Sequence, residues 1–200
     1  FSLVYQPLID VQSTSIHGSE ALVRWNNSLL GAVSPIDFIP VAESTNLIVN
    51  IGKWVLKEAC CQNKQWQKQG MTSLEVSVNV SAKQLRYPDF VDTVKSVIEE
   101  TGMDSRYLKL EITESVSMEN ISEVRKIFSE LKQMNVKLSI DDFGTGYSSL
   151  AELKALAVDE IKIDKSFIDD IHISGNIKDI VMIESIVAMA KSFKLKVVAE

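Results

Sequence analysis

Lys137–Leu150 reads KLSIDDFGTGYSSL. Apolar Leu138 and Ile140 alternate with Lys137 and Ser139, the period of a short strand. Asp141 and Asp142 stand where that strand is expected to give way to a loop. Gly144-Thr145-Gly146 can take positive φ, and Tyr147–Leu150 can open a helix with a serine near its N-cap. The stretch is therefore a strand passing into a helix, with two carboxylates at the junction. Adjacent carboxylates at a strand end are costly unless a positive charge sits between them. Mg²⁺ or Mn²⁺, which favour oxygen ligands, would supply it; a polar loop closed by an Asx-type cap is the other reading. Asp142-Phe143-Gly144 spells the DFG of protein kinases. No Gly-rich loop followed by VAIK and no HRD loop accompanies it, and the kinase reading is rejected.

Outward from this junction the same alternation repeats. Leu74–Val80 (LEVSVNV), Leu108–Thr113 (LKLEIT), Glu160–Asp164 (EIKID) and Lys196–Ala199 (KVVA) read as strands. Phe90–Glu100, Ile121–Met134, Leu150–Leu156 and Asn176–Phe193 read as helices between them. Upstream, Leu3–Asp10 and Gly18–Trp25 are strand-like, and Ile36–Gln69 is a helical region of two helices with Asp37 as a candidate cap. Trp54 and Trp66 read as packing residues. Repeated βα units imply a parallel sheet, doubly wound or closed into a (β/α)₈ barrel. No GxGxxG follows the first strand, so a Rossmann dinucleotide site is unsupported.

The bulk properties narrow the class. The chain has 200 residues, 46 % hydrophobic and 24 % charged, enough for one domain with a substantial core. A net charge of −6 argues against gripping a nucleic acid polymer. The two cysteines, Cys60 and Cys61, are adjacent and read as buried helical thiols, as expected of a cytoplasmic domain. No apolar run of about 18 residues offers a membrane span.

Each strand delivers polar residues to its C-terminal end: Glu20 and Arg24, Asn79, Glu111 and Glu114, Asp141 and Asp142, Lys162 and Asp164, and Glu200. Parallel strands present those ends on one face, where barrel enzymes keep their active sites. Five carboxylates gathered there cannot all ionise without cations. Two divalent ions about 3.5–4 Å apart are the usual device for in-line attack on a phosphodiester. The chain shows no Cys/His cluster for zinc and no Ser-His-Asp or Cys-His set for acyl transfer. His17 and His172 are isolated and expected to be exposed.

These motifs, in this order, resemble the EAL domain of cyclic-di-GMP phosphodiesterases. Glu20-Ala21-Leu22 is the naming signature, within GSEALVRW. Tyr5-Gln6-Pro7, NVSAKQL (Asn79–Leu85), LEITES (Leu110–Ser115), DDFGTGYSSL (Asp141–Leu150), IKID (Ile161–Asp164) and the closing VVAE match over the whole chain, residues 1–200. The resemblance implies an α/β fold, a modified TIM-type (β/α)₈ barrel with an antiparallel first strand. It implies hydrolysis of cyclic di-GMP to linear pGpG with two Mg²⁺ or Mn²⁺ ions. Glu20, Asn79, Glu111 and Asp141 would be metal ligands, with Asp141 bridging and Asp142 completing the second site. Lys162 would hold the attacking water or the phosphate, and Glu200 would be a base or a further metal ligand. Gln6, Leu22, Arg24 and Asp164 would contact substrate. Glu114 would steady Phe143–Ser149, a loop that commonly lies at a homodimer contact. Fusion to sensor or GGDEF-type domains is implied for the full-length protein, which could itself be anchored in a membrane.

The second Glu of the final motif and a late Gln motif would lie past residue 200, as would the last βα unit. A 200-residue piece would then have an open seam, so the expectation is a polypeptide that continues or a partner copy that fills the gap. The alternative function, from another class, is a receptor that binds cyclic di-GMP without cutting it. Such receptors usually lose the EAL Glu, the Asp pair or the loop motif, all intact here. A purely structural oligomerisation module would not need the carboxylates.

Overall fold

The computed structural model describes residues 1–115, 120–146, 150–174 and 177–199. The chain divides into two compact units, Phe1–Leu110 with Gln133–Val136, and Glu111–Lys132 with Lys137–Glu200.

In the first unit, β1 (Ser2–Ile9) runs antiparallel to β2 (Ile16–Asn27), the first-strand reversal expected from the sequence. The register sets Gln6 opposite Glu20 and Ser2 opposite Arg24. β2 turns back into β3 (Gly31–Val33) and pairs in parallel with β4 (Glu75–Asn79). Between them come α1 (Pro35–Ser44) and α2 (Leu47–Lys68). The N-cap position of α1 is Ser34, with Pro35 in its first turn. Asp37, expected as the cap, lies inside that turn, where its charge suits the helix dipole. α2 buries Val55, Leu56, Ala59 and Cys60, and Val76 and Val78 of β4 are buried as well. Phe1, Trp25, Phe38 and Trp54 form an aromatic cluster, with Phe1 stacked on Trp25 at 5.7 Å. Trp66 meets Tyr5 edge-on at 4.8 Å, so both tryptophans pack as expected.

α3 (Ala82–Leu85) follows β4 directly and is held by a capping box. Ser81 Oγ accepts the Gln84 amide at 3.3 Å, and Gln84 Oε1 accepts the Ser81 amide at 3.2 Å. Gln84 in turn fills the space beside Gly52: a Cβ there would stand 1.7 Å from Gln84 Nε2. α4 (Phe90–Thr101) closes on Gly102 in the left-handed conformation, at φ +62°. A 3₁₀ turn at Ser105–Tyr107 then leads into β5 (Leu108–Thr113), whose first three residues belong to this unit.

In the second unit, β5 ends with Glu111–Thr113. α5 (Ile121–Gln133) buries Val124, Phe128 and Leu131. β6 (Lys137–Phe143), β7 (Glu160–Ile163) and β8 (Lys196–Ala199) are neighbours, parallel throughout. α6 (Leu150–Leu156), α7 (Lys165–Ser174) and α8 (Ile177–Phe193) connect them. Asp159 ties the start of the strands together. It accepts the Leu138 amide at 2.9 Å and the Lys132 ammonium at 2.5 Å, and its carbonyl accepts the Lys196 amide at 3.0 Å. The helix start expected over Tyr147–Ser149, with its serine N-cap, lies outside the described residues.

The strand carrying the two acids departs from expectation. It does not end at Ile140 but runs through Phe143. Ile140 faces Ile161 and Phe143 faces Ile163, so Asp141 and Asp142 together oppose the single residue Lys162. This is a β-bulge. Asp142 takes φ 54°, a left-handed backbone.

Candidate active site

In the first unit the site residues ride on straight strands. Successive strand residues point to opposite faces, so β4 sends Glu75, Ser77 and Asn79 one way and Val76 and Val78 the other. The Asn79 amide donates to Glu20 Oε1 at 2.7 Å. Glu20 is buried and Asn79 exposed. Gln6, across from Glu20 on β1, is exposed, and Leu22 is half-buried. Arg24 is exposed, with Nη1 donating to the Val23 carbonyl at 2.9 Å. Deeper in the same unit Lys109 and Glu75 form a buried ion pair at 3.4 Å. Neither residue had been singled out from the sequence.

In the second unit Lys162 is the centre. Its ammonium lies 2.8 Å from Glu111 Oε2 and 3.2 Å from Asp141 Oδ1, and it is 1 % exposed. One positive charge thus separates two carboxylates that would repel each other. The bulge sets Asp141 and Asp142 opposite Lys162, and of the two it is Asp141 that meets the ammonium. Asp142 is close enough to Asp164 to act on its carboxyl. Asp164 accepts the Ser166 amide at 2.9 Å and the Ser166 hydroxyl. The Ser166 side chain is the main reason the Asp164 carboxyl sits below the usual carboxylate range, with the Ser166 amide and Asp142 adding to it against the effect of burial. Glu114 Oε2 accepts two amides, Gly144 at 2.9 Å and Gly146 at 3.2 Å. Glu200 lies outside the described residues.

Each unit therefore gathers part of the expected set: Glu20 with Asn79 and Gln6 in one, Glu111 with Asp141 and Lys162, and Asp142 with Asp164, in the other. Among the described residues, no group of three or more His, Cys, Asp and Glu side chains is placed to hold a metal ion. The donors themselves are hard oxygens, carboxylate and amide, which suit Mg²⁺ or Mn²⁺ and not a soft metal. His17, expected to be exposed, is half-buried, with Nδ1 shielded from solvent on β2. Cys60 is buried, which pushes its thiol up to about 12; Cys61 is half-buried. Sequence reading missed the supporting residues Gln84, Gly52, Ser166 and Phe167. Two of them left a signal, the S-x-x-Q capping box at Ser81 and the Asp-x-Ser turn at Asp164.

Each unit carries parallel strand pairs with helices between them and acidic residues on the strands, the build of an α/β domain. A family model described as the EAL domain matches residues 1–200, and the chain belongs to that family. It is 43 % identical over 99 % of its length to the oxygen sensor protein DosP of Escherichia coli, of which it covers 24 %. It is 41 % identical, again over 99 %, to the cyclic di-GMP phosphodiesterase NbdA of Pseudomonas aeruginosa, covering 25 %. The solved structure of the MucR phosphodiesterase of the same bacterium, in complex with c-di-GMP, superimposes with a TM-score of 0.94 at 40 % identity, covering 99 % of this chain and 79 % of that one. The chain spans about a third or less of the length of the curated relatives it matches. Among the described residues no helix is long and apolar enough to cross a membrane.

Proposed function

We propose that this domain hydrolyses cyclic di-GMP to linear pGpG, acting in the cytoplasm within a longer signalling protein that works as a homodimer. The observation that carries the reading is the Glu111–Lys162–Asp141 cluster on strands of an EAL-family chain. It is the oxygen-donor and ammonium chemistry a phosphodiesterase needs. The likeness to a phosphodiesterase bound to c-di-GMP supports the substrate.

Glu20, Asn79, Glu111, Asp141 and Asp142 would hold divalent ions. Bound there, Mg²⁺ or Mn²⁺ would lower the pKa of a water and neutralise phosphoryl charge. Lys162 keeps Glu111 and Asp141 apart and would hold the attacking water or a phosphate oxygen. Arg24 presents a planar fork suited to two phosphate oxygens. Gln6, Leu22 and Asp164 would complete the contacts with substrate, and Glu200 would accept the water proton or serve as a further metal ligand. The water oxygen bonds to phosphorus, the bond from phosphorus to the ribose 3′-oxygen breaks, and that oxygen leaves with a proton as the 3′-hydroxyl of pGpG.

The test is purified protein with cyclic di-GMP in Mg²⁺ or Mn²⁺, followed for pGpG. Excess EDTA should abolish turnover, and Asp141→Asn should lower it by orders of magnitude with the fold intact. Full activity in EDTA overturns the metal reading. Tight binding of cyclic di-GMP with no pGpG in either metal identifies a receptor instead.

A further inference from the structure

Phe167 is the third residue of α7, and its ring lies where a side chain on Gly144 would have to go. A Cβ on Gly144 would stand 2.9 Å from Phe167 Cε2, 3.3 Å from its Cζ and 3.4 Å from Ile186 Cδ1 of α8. Gly144 also has φ +102°, so the position needs glycine on both counts. Its amide, with that of Gly146, is held by Glu114. The turn after the acidic pair is therefore gripped by a carboxylate at its amides and by an aromatic ring at its bare α-carbon.

The ring is itself fixed from the acidic side. Asp164 accepts the Ser166 amide through its side chain, and its carbonyl accepts the Phe167 amide at 3.2 Å. The start of α7 thus reaches the turn that follows the bulge through Phe167, whose ring lies against Gly144. Asp142, at φ 54°, lies one residue before Phe143 and two before Gly144. A ring that sets Gly144 also sets the backbone that aims the Asp142 carboxylate.

We propose that Phe167 is a positioning residue: its ring seats Gly144, and through it the left-handed turn that points Asp142. Its effect on catalysis rests on the phosphodiesterase reading above; its effect on the turn does not. Phe167 touches no reacting atom, so its removal acts on geometry, and misplacing a reacting group by about 1 Å can cost 10²-fold in rate.

The experiment compares wild type, Phe167→Ala and Phe167→Leu. Amide hydrogen exchange is read at Gly144 and Gly146, and kcat and KM for cyclic di-GMP are measured in Mn²⁺. In Phe167→Ala, exchange at the two glycines should accelerate while the Leu138 and Phe128 amides keep wild-type rates. The kcat should fall about 10- to 100-fold with KM unchanged. Phe167→Leu should recover part of both, and it carries the same test if the alanine variant does not fold. Wild-type exchange at Gly144 and Gly146, or a raised KM with normal kcat, overturns the proposal. Absence of pGpG from the wild type removes the phosphodiesterase reading alone, and the exchange rates then decide the role of Phe167.

Discussion

Glu20 and Asp141 are both strand-borne acids, yet they are presented in opposite ways. Glu20 sits within an unbroken register, with Gln6 on one neighbouring strand and Ser77 on the other. Its partner Asn79 comes from the end of an equally regular strand, anchored below by Val76 and Val78 and beyond by the Ser81–Gln84 capping box. Asp141 sits in a bulge, beside a residue in left-handed conformation, and is balanced by one buried ammonium. A straight strand aims a single side chain and relies on packing behind it. A bulge brings two neighbouring acids to bear at once, and relies on countercharge and on whatever holds the turn.

The largest expected effect breaks the countercharge. Lys162→Met leaves Glu111 and Asp141 facing each other without the ammonium, and stripping one partner from a buried ion pair costs about 3–5 kcal/mol. Denaturant melts in metal-free buffer should show that loss together with abolished turnover. Adding Glu111→Gln and Asp141→Asn to the same chain should return stability without activity. Undiminished stability in Lys162→Met alone would mean that the bulge does not depend on its ammonium.

A smaller effect tests the packing behind the straight strands. Gly52→Ala drives a methyl into Gln84, whose amide is held by Ser81 and cannot swing away without opening the capping box. Overpacking of this kind costs about 1–3 kcal/mol. The thermal midpoint should drop, and turnover should fall modestly as the chain beyond Asn79 loosens. An unchanged midpoint would show that the support comes from elsewhere.

The smallest effect is a pH dependence. The Asp164 carboxyl is held below its ordinary value by Ser166, so its contribution is present above that value and fades as pH falls through the lowered one. In metal-free buffer, wild type should be more stable than Asp164→Asn near neutrality, and the gap should close as the solution is acidified through the carboxylate range. A constant gap would assign the difference to shape instead of charge.

Regular strands were legible because alternation is written locally: Val76 and Val78 against Ser77 and Asn79 need no partner to be read. The bulge was not, because two adjacent acids after Ile140 look like a loop. Only the pairing of Phe143 with Ile163 makes them strand, and a register is a property of two segments. β3 escaped notice because three residues are too few to show a period. α7 escaped because Asp169-Asp170 interrupts its apolar pattern and its cap belongs to the preceding strand motif. The Glu20–Asn79 grouping was expected from motif order, whereas the pairing of Asp141 and Asp142 with Lys162 depends on the register of the bulge.

The backbone of Asp142 also restricts the alphabet available to that position. Left-handed φ is comfortable for glycine and, among the other residues, chiefly for asparagine and aspartate. Among the described residues, asparagine takes φ 63°, 50° and 60° at Asn46, Asn120 and Asn135, and Thr14, Ala157 and Lys194 take 54°, 53° and 60°. At Asp142 a negative charge is wanted as well. Glycine and asparagine satisfy the backbone but carry no charge, and glutamate carries the charge but strains the backbone. Aspartate answers both demands with the least strain, so a single torsion angle narrows the choice at this position.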